Sequence, residues 1–376
     1  MSGSKKNETS INLNKRVMII NYPHKRAIHC ETGSIRNLLK FYGYEISEPM
    51  ILGIGSGLTF IHFPFPLFAN HEAPIFRIMP TKVFANFTKN LNLNSKVKTF
   101  RDKEKSMKKL DELLDKGIPT GLVTEISKIS YFKAAMPVGH RFSGHHIVVV
   151  GKENDNYFLS ETDWNFYDDS LFQIKADELK NARFTNELMS PKGKMFYFPE
   201  RPLIPDLKPA IIKGIKKTCF NMLDNPFPFF GAKGIKFFGK RILLYEKKYG
   251  ARQAVENMKF QLILSEMAGT GGSGYRYFYA DFLKEAADIF NDDTLRSLSN
   301  DMKAIADEWR QFAIDNNRYT NLVNSKPFPK SNFWETIRQS PVSDKKDLQY
   351  MSEMISNISD MELDFFKNLR KWVNNK

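Results

Sequence analysis

The sequence predicts an α+β protein, mixed in its first half and helical in its second. Three observations carry this. Apolar runs of β type occur at 16–20, 75–79, 146–151 and 194–198, between helical patterns at 32–43 and 105–116. Residues 199–210, PERPLIPDLKPA, hold four prolines and read as a linker. Beyond it, segments 251–268, 275–290, 294–315 and 343–373 repeat apolar residues at spacings of three and four. The expected division is 1–198, a linker at 199–210, and a helical region at 211–376.

In order along the chain, MSGSKKNETSINLNKR is polar, without the apolar core of a secretory leader. RVMII at 16–20 follows as a strand. In HCETGSIRNLLKFYG, Ile35, Leu38, Leu39 and Tyr42 share one helical face, and Gly43 suits the position just past a helix end. The uncharged stretch 50–71 carries glycines, histidines and prolines and reads as loop and buried core, not as a spanning helix. KSMKKLDELLDK at 105–116 is amphipathic. HIVVVG and NYFLSETD, joined by KEND, form a hairpin pattern. The basic, Phe-rich stretch 211–243 is broken by Pro226 and Pro228, which favours buried helices with outward lysines over a membrane-surface helix.

A chain of 376 residues with 42% hydrophobic and 26% charged content can bury large cores, which excludes a disordered protein. Two cysteines give no disulfide framework, and a cytoplasmic setting is expected. The net charge of +14 favours acidic partners, but no zinc-finger, RNA-recognition or basic-zipper pattern is present, so no nucleic-acid partner is expected. A homodimer is compatible with the sequence.

All seven histidines fall at or before residue 146, so imidazole chemistry belongs to the first half. Cys30 stands where the helix of 32–43 begins, and the positive end of its dipole favours a thiolate there. Such a nucleophile needs a base. If the hairpin turns about Asn154-Asp155, paired residue numbers sum to 309, and His146 falls opposite Asp163. A carboxylate there would fix the tautomer of His146, while His145 would point to the other face. A bulge would break this register. His145 and His29 are both candidates to line the site or serve an oxyanion, and His29 is equally a packing residue. Zinc binding by His145, His146, His29, His140 and Cys30 matches no strong ligand spacing, and no metal is expected. Cys219 reads as core.

GTGGSG at 269–274 lacks the Gly-Lys-Ser/Thr ending of a phosphate loop and reads as a turn between helices. Glu266, Tyr275 and Arg276 beside it are candidates for an acceptor or carrier site. Glu48 is a local hydrogen-bonding residue or a ligand of an acceptor amine.

The order of Cys at a helix start, His opening an apolar strand and Asp on the next strand resembles the papain-like cysteine enzymes. More specifically, HCETGSIRNLLKFYG, ISEPMILGIGSGLTF and HHIVVVG resemble the N-terminal domain of butirosin biosynthesis protein H. SEMAGTGGSGYRYFYADFLKEAADIF at 265–290 resembles the helical domain of unknown function that commonly follows it. The resemblance implies a papain-like first domain and an acyltransferase. An acyl group would pass from the phosphopantetheine of an acyl carrier protein to an amine or hydroxyl of a small acceptor, with no cofactor bound to the chain itself. It maps the nucleophile to Cys30, the base to His146 and the carboxylate to Asp163. Papain-like enzymes usually carry an oxyanion-donating Gln six residues before the cysteine. Here that residue is His24, so the donor is His24, a backbone N–H near Cys30, or another group. A cysteine amidase or peptidase, and a non-catalytic binding protein keeping the fold, are the alternative readings.

Overall fold

A computed structural model describes residues 16–18, 21–66, 70–135, 142–162, 170–185, 190–321 and 348–376. The first elements are β1 (Arg16–Met18), α1 (Cys30–Phe41) and α2 (Glu48–Ile54). Gly43 has φ +89 just past the end of α1, as the stop pattern predicts. In α2, Ser47 caps the start by accepting from Met50 N–H, and a proline sits in the first turn. The stretch expected to be loop and buried core thus holds a helix and, after it, strand β2 (Leu58–Ile61). Gly53 packs against Phe282, and Gly55 caps the end of α2 in the turn that leads to β2.

β2 pairs with β3 (Ile75–Arg77) as a separate two-stranded ribbon. There follow α3 (Lys82–Asn90), β4 (Lys96–Lys98), α4 (Lys103–Leu114), β5 (Thr120–Thr124) and α5 (Ser130–Ala135). Strands β6 (His145–Glu153) and β7 (Asn156–Ser160) make the hairpin, and β8 (Phe172–Lys175), α6 (Ala176–Arg183) and β9 (Met195–Tyr197) complete the sheet region. The main sheet runs β4-β9-β5-β6-β7-β8, with β1 also on β6, and every pairing within it is antiparallel. α1 packs on β6, which brings the start of the helix to the start of the strand. Gly33 in α1 leaves no room for a Cβ against Ala27 and Thr162, so the helix is drawn tightly onto the chain leaving β7.

The hairpin turns on Asn154-Asp155, and the first pairs are Glu153↔Asn156, Lys152↔Tyr157 and Gly151↔Phe158, as expected. The register then shifts to Val149↔Leu159 and Val148↔Ser160. Val150 is the extra residue of a bulge, and the register expected to set 146 opposite 163 does not reach those positions. Asp163 itself lies outside the described residues, as do His140 and the 343–347 end of the last expected helix.

After an irregular segment, α7 (Lys208–Leu223), α8 (Gly231–Ile242), α9 (Tyr245–Tyr249) and α10 (Ala251–Leu262) lead into α11 (Arg276–Phe290), α12 (Asp293–Thr320) and α13 (Leu348–Asn374). A π-helical turn at Ile263–Met267 ends α10. Lys213, Lys216 and Lys217 on α7 and Lys233, Lys236 and Lys240 on α8 face outward, as expected. Cys219 is buried, its thiol pushed up to about 12 by that burial. Among the described residues no helix is long and apolar enough to cross a membrane.

The helical region shares one core with the first part of the chain. Phe60 of β2 and Phe76 of β3 both pack against Trp309 of α12, with ring centroids 5.9 and 5.5 Å apart. α2 packs on α7 and α11. Such aromatic contacts add about 0.5–1.5 kcal/mol each beyond area burial.

Candidate active site

Cys30 is the first residue of α1 and is 3% exposed. Helix geometry leaves the first-turn N–H groups without intrahelical acceptors, so the backbone at Cys30 offers donors for an oxyanion. His29 caps the helix, its Nδ1 3.4 Å from Thr32 N. The chain entering α1 is pinned by Ala27 N–H to Thr162 O at 2.7 Å and by Arg36 and Asn37, which donate to the Lys25 carbonyl. Glu48 completes the clamp. Its carboxylate accepts from His29 N–H, Ile28 N–H, Thr32 Oγ1 and Arg36. Burial raises Glu48 above the usual carboxylate range against these donors. Of its two expected roles, local hydrogen bonding is the one the contacts support.

Two histidines meet Cys30 from β6. His146 Nδ1 lies 4.0 Å from Cys30 Sγ, while Nε2 lies 3.2 Å from Thr81 Oγ1 and 3.7 Å from Glu31 Oε2. Thr81 holds φ +70, unusual for a β-branched residue, at the start of α3. The Cys30 sulfur also favours charge on His145, whose Nε2 lies 2.8 Å from Glu161 Oε2. Tyr131 donates to the same carboxylate oxygen at 3.0 Å. Among the described residues, His146, the expected base, is therefore the imidazole in contact with the Cys30 sulfur, and His145 is the one hydrogen-bonded to the Glu161 carboxylate. The sequence expectation set it on the other face. The bulge at Val150 shifts the register against β7 by one residue, so counting from the turn does not give the partners of these histidines.

The electrostatics separate the two rings. Burial opposes charge on His145, but the Glu161 carboxylate and the Cys30 sulfur outweigh it and hold His145 well above the ordinary imidazole range. Burial, with Arg77 and His145 as positive neighbours, holds His146 well below it. His29 is lowered by burial and by Arg77, which donates to its Nε2. One charged imidazole thus stands beside the thiol, between neutral ones.

Arg77 at the end of β3 also donates to Glu31 Oε2 at 2.6 Å, and Glu31 accepts from Phe84 N–H at 3.0 Å. Sequence reasoning missed Arg77, Glu31, Thr81 and Glu161. Glu161 was visible as an acidic residue on the second hairpin strand, but only the bulge reveals its partner. Arg77 carried no local signal.

His24, six residues before Cys30, has its Nδ1 2.7 Å from Ser160 Oγ. Around the Gly-rich loop the candidates separate. The Tyr275 ring meets His29 edge-on at 5.3 Å, so this residue reaches the site. Arg276 does not serve as an acceptor-binding side chain. It is fully buried, donates to Glu362 at 2.9 and 3.1 Å and to the Gly274 carbonyl, and lies between Phe76 and Trp309. Glu266 accepts from Ser273 N–H at 3.0 Å and faces Arg310 at 3.2 Å, and burial pushes its carboxyl up to about 7. It therefore shapes the loop. Among the described residues, no group of three His, Cys, Asp or Glu side chains is arranged to hold a metal ion.

Residues 29–162 match the family model described as butirosin biosynthesis protein H, N-terminal, and residues 177–327 match a domain of unknown function (DUF4872). No curated relative matches the chain. A solved Bacillus anthracis protein, described as a C39-like peptidase, is similar to half of the chain. It matches at 12% identity and a TM-score of 0.35, over 50% of this chain and 100% of that one.

Proposed function

We propose that this chain, a member through residues 29–162 of the butirosin biosynthesis protein H N-terminal family, transfers an acyl group by way of a thioester on Cys30. The observation that carries the reading is the cluster at Cys30: a sulfur at a helix start, His146 Nδ1 4.0 Å from it, and beside them His145 on the buried carboxylate of Glu161, its charge favoured by that carboxylate and by the sulfur. This is the nucleophile, base and orienting acid of thiol catalysis.

The donor in this reading is an acyl carrier protein bearing its acyl group on phosphopantetheine. The net charge of +14 suits an acidic partner of that kind. The Cys30 thiolate attacks the thioester carbonyl, and first-turn amides of α1 receive the oxyanion. Collapse expels the phosphopantetheine thiolate, which takes its proton from His145. His145, now neutral, accepts a proton from the acceptor amine or hydroxyl as it attacks the Cys30 thioester. The acylated acceptor leaves and the thiolate returns. Glu161 keeps Nε2–H of His145 directed inward, so that Nδ1 serves the sulfur. The enclosure of Cys30 favours transfer over hydrolysis, because an acyl-enzyme shielded from water survives until the acceptor arrives. A cytoplasmic setting fits the two free thiols.

Incubation with an acylated carrier protein, followed by intact-mass measurement, tests this. The protein should gain the acyl mass on Cys30 and lose it on addition of an amine or alcohol. Loss at the same rate in buffer alone would assign a hydrolase instead. A protein that never gains acyl mass, with Cys30→Ala equally active, would sink the reading.

A further inference from the structure

We propose that the Gly-rich loop of the helical region is part of the catalytic unit, with Tyr275 as a positioning residue that holds Arg77 against His29 and Glu31, beside Cys30. This rests on Cys30 being the nucleophile and adds a role for a segment that the family model leaves without one.

The loop is built at some conformational cost. Residues 271–275 all have positive φ, from +52 to +92, and Ser273 and Tyr275 are not glycines. Such backbone persists only where its surroundings over-determine it. They do: Thr270 Oγ1 donates to Ser265 O at 2.6 Å, Gly272 N–H donates to Thr270 Oγ1 at 3.0 Å, and Ser273 Oγ donates to Ala306 O at 2.7 Å. Gly274 lies so close to Phe76, the residue before Arg77, that a Cβ has no room there. The result delivers one side chain, Tyr275, which is 2% exposed, meets the His29 ring edge-on at 5.3 Å and acts electrostatically on Arg77, the partner of that imidazole.

Arg77 is the hub this contact controls. Its guanidinium bonds His29 and Glu31, and Glu31 in turn stands 3.7 Å from His146. With Tyr275 beside it, the fixed positive charge opposes charge on His29 and His146 and is placed to attract an anion formed at Cys30. The titratable and charged groups that share this volume are His29, Cys30 and Glu31 on α1, Glu48 on α2, Arg77 on β3, His145 and His146 on β6, Glu161 after β7, Lys194 before β9, and Tyr275 itself.

The full-length protein is tested by measuring iodoacetamide alkylation of Cys30 against pH, for wild type, Tyr275→Phe and Arg77→Lys. Tyr275→Phe keeps the ring and removes only the hydroxyl. A hydrogen bond to a charged group predicts a loss of roughly tenfold in alkylation rate near neutral pH. The acid limb of the profile should move to higher pH, with the thermal midpoint little changed. Arg77→Lys, which keeps the charge but loses the fork, should move the same limb in the same direction. Profiles of both variants that superpose on wild type would overturn the proposal and leave Cys30 as nucleophile standing. A wild-type thiol no faster than free cysteine would overturn the nucleophile reading and this proposal together.

Discussion

His145 Nε2 and Glu161 Oε2 lie 2.8 Å apart, one residue opening β6 and the other just past β7, both enclosed. His146, the next residue, meets Cys30 Sγ at 4.0 Å through Nδ1 and faces Thr81 and Glu31 through Nε2. The pair makes a direct comparison available. His145→Ala should reduce the rate of acyl uptake by about 10²–10⁴-fold, the range of a general base. His146→Ala should cost about tenfold, as a packing and polar neighbour. Single-turnover mass measurement of Cys30 acylation distinguishes them, and a larger loss in His146→Ala would reverse the assignment.

The carboxylate fixes the pH range. His145 is raised in the folded protein, so its charge persists above the ordinary imidazole range of about 6.5 and is lost as pH rises through the raised value. The stability it contributes follows the same sign: full below about 6.5, lost on the alkaline side. Glu161→Gln removes the largest raising influence and leaves burial, which lowers. The alkaline limb of Cys30 acylation by the carrier thioester, whose leaving thiolate takes its proton from His145, should therefore move to lower pH in Glu161→Gln. Rates between about pH 5 and 9 show this, and an unmoved limb would separate Glu161 from the reaction.

The buried ion pair of Arg276 and Glu362 is a stability element far from exchangeable. Both side chains are fully enclosed, and Trp309 Nε1–H donates to the same carboxylate at 2.7 Å. Glu362→Gln should cost about 3–5 kcal/mol in urea unfolding, because it leaves a buried guanidinium without its counter-charge. Replacing both partners, as Arg276→Met with Glu362→Leu, should cost less than either single change.

Much of the fold was legible because local rules decided it. The face of Ile35, Leu38, Leu39 and Tyr42, with Gly43 as the stop, located α1, and Asn154-Asp155 located the turn. The α2 start was also written, as Ser47 followed by Glu48 and Pro49, but the glycines after it argued for loop. The site was legible only in part. Cys30 and the HHIVVVG strand were visible by position. The residues opposite the hairpin's far end depended on one inserted residue, Val150, and a bulge has no dependable sequence sign. Arg77 was invisible for a different reason. Its neighbours His29, Glu31 and Tyr275 come from elements distant in sequence, so only tertiary structure assembles them.

The contacts of Trp309 with Phe60 and Phe76 carry a meaning for how such a chain can change over time. Two segments with separate family descriptions share one interior, and a single aromatic ring of the second sits against both strands of the ribbon that carries Arg77. The halves are not interchangeable parts. A replacement for either would have to bring a matching surface for the other, so shuffling of genes at the proline-rich segment should yield working hybrids only when both sides have diverged little.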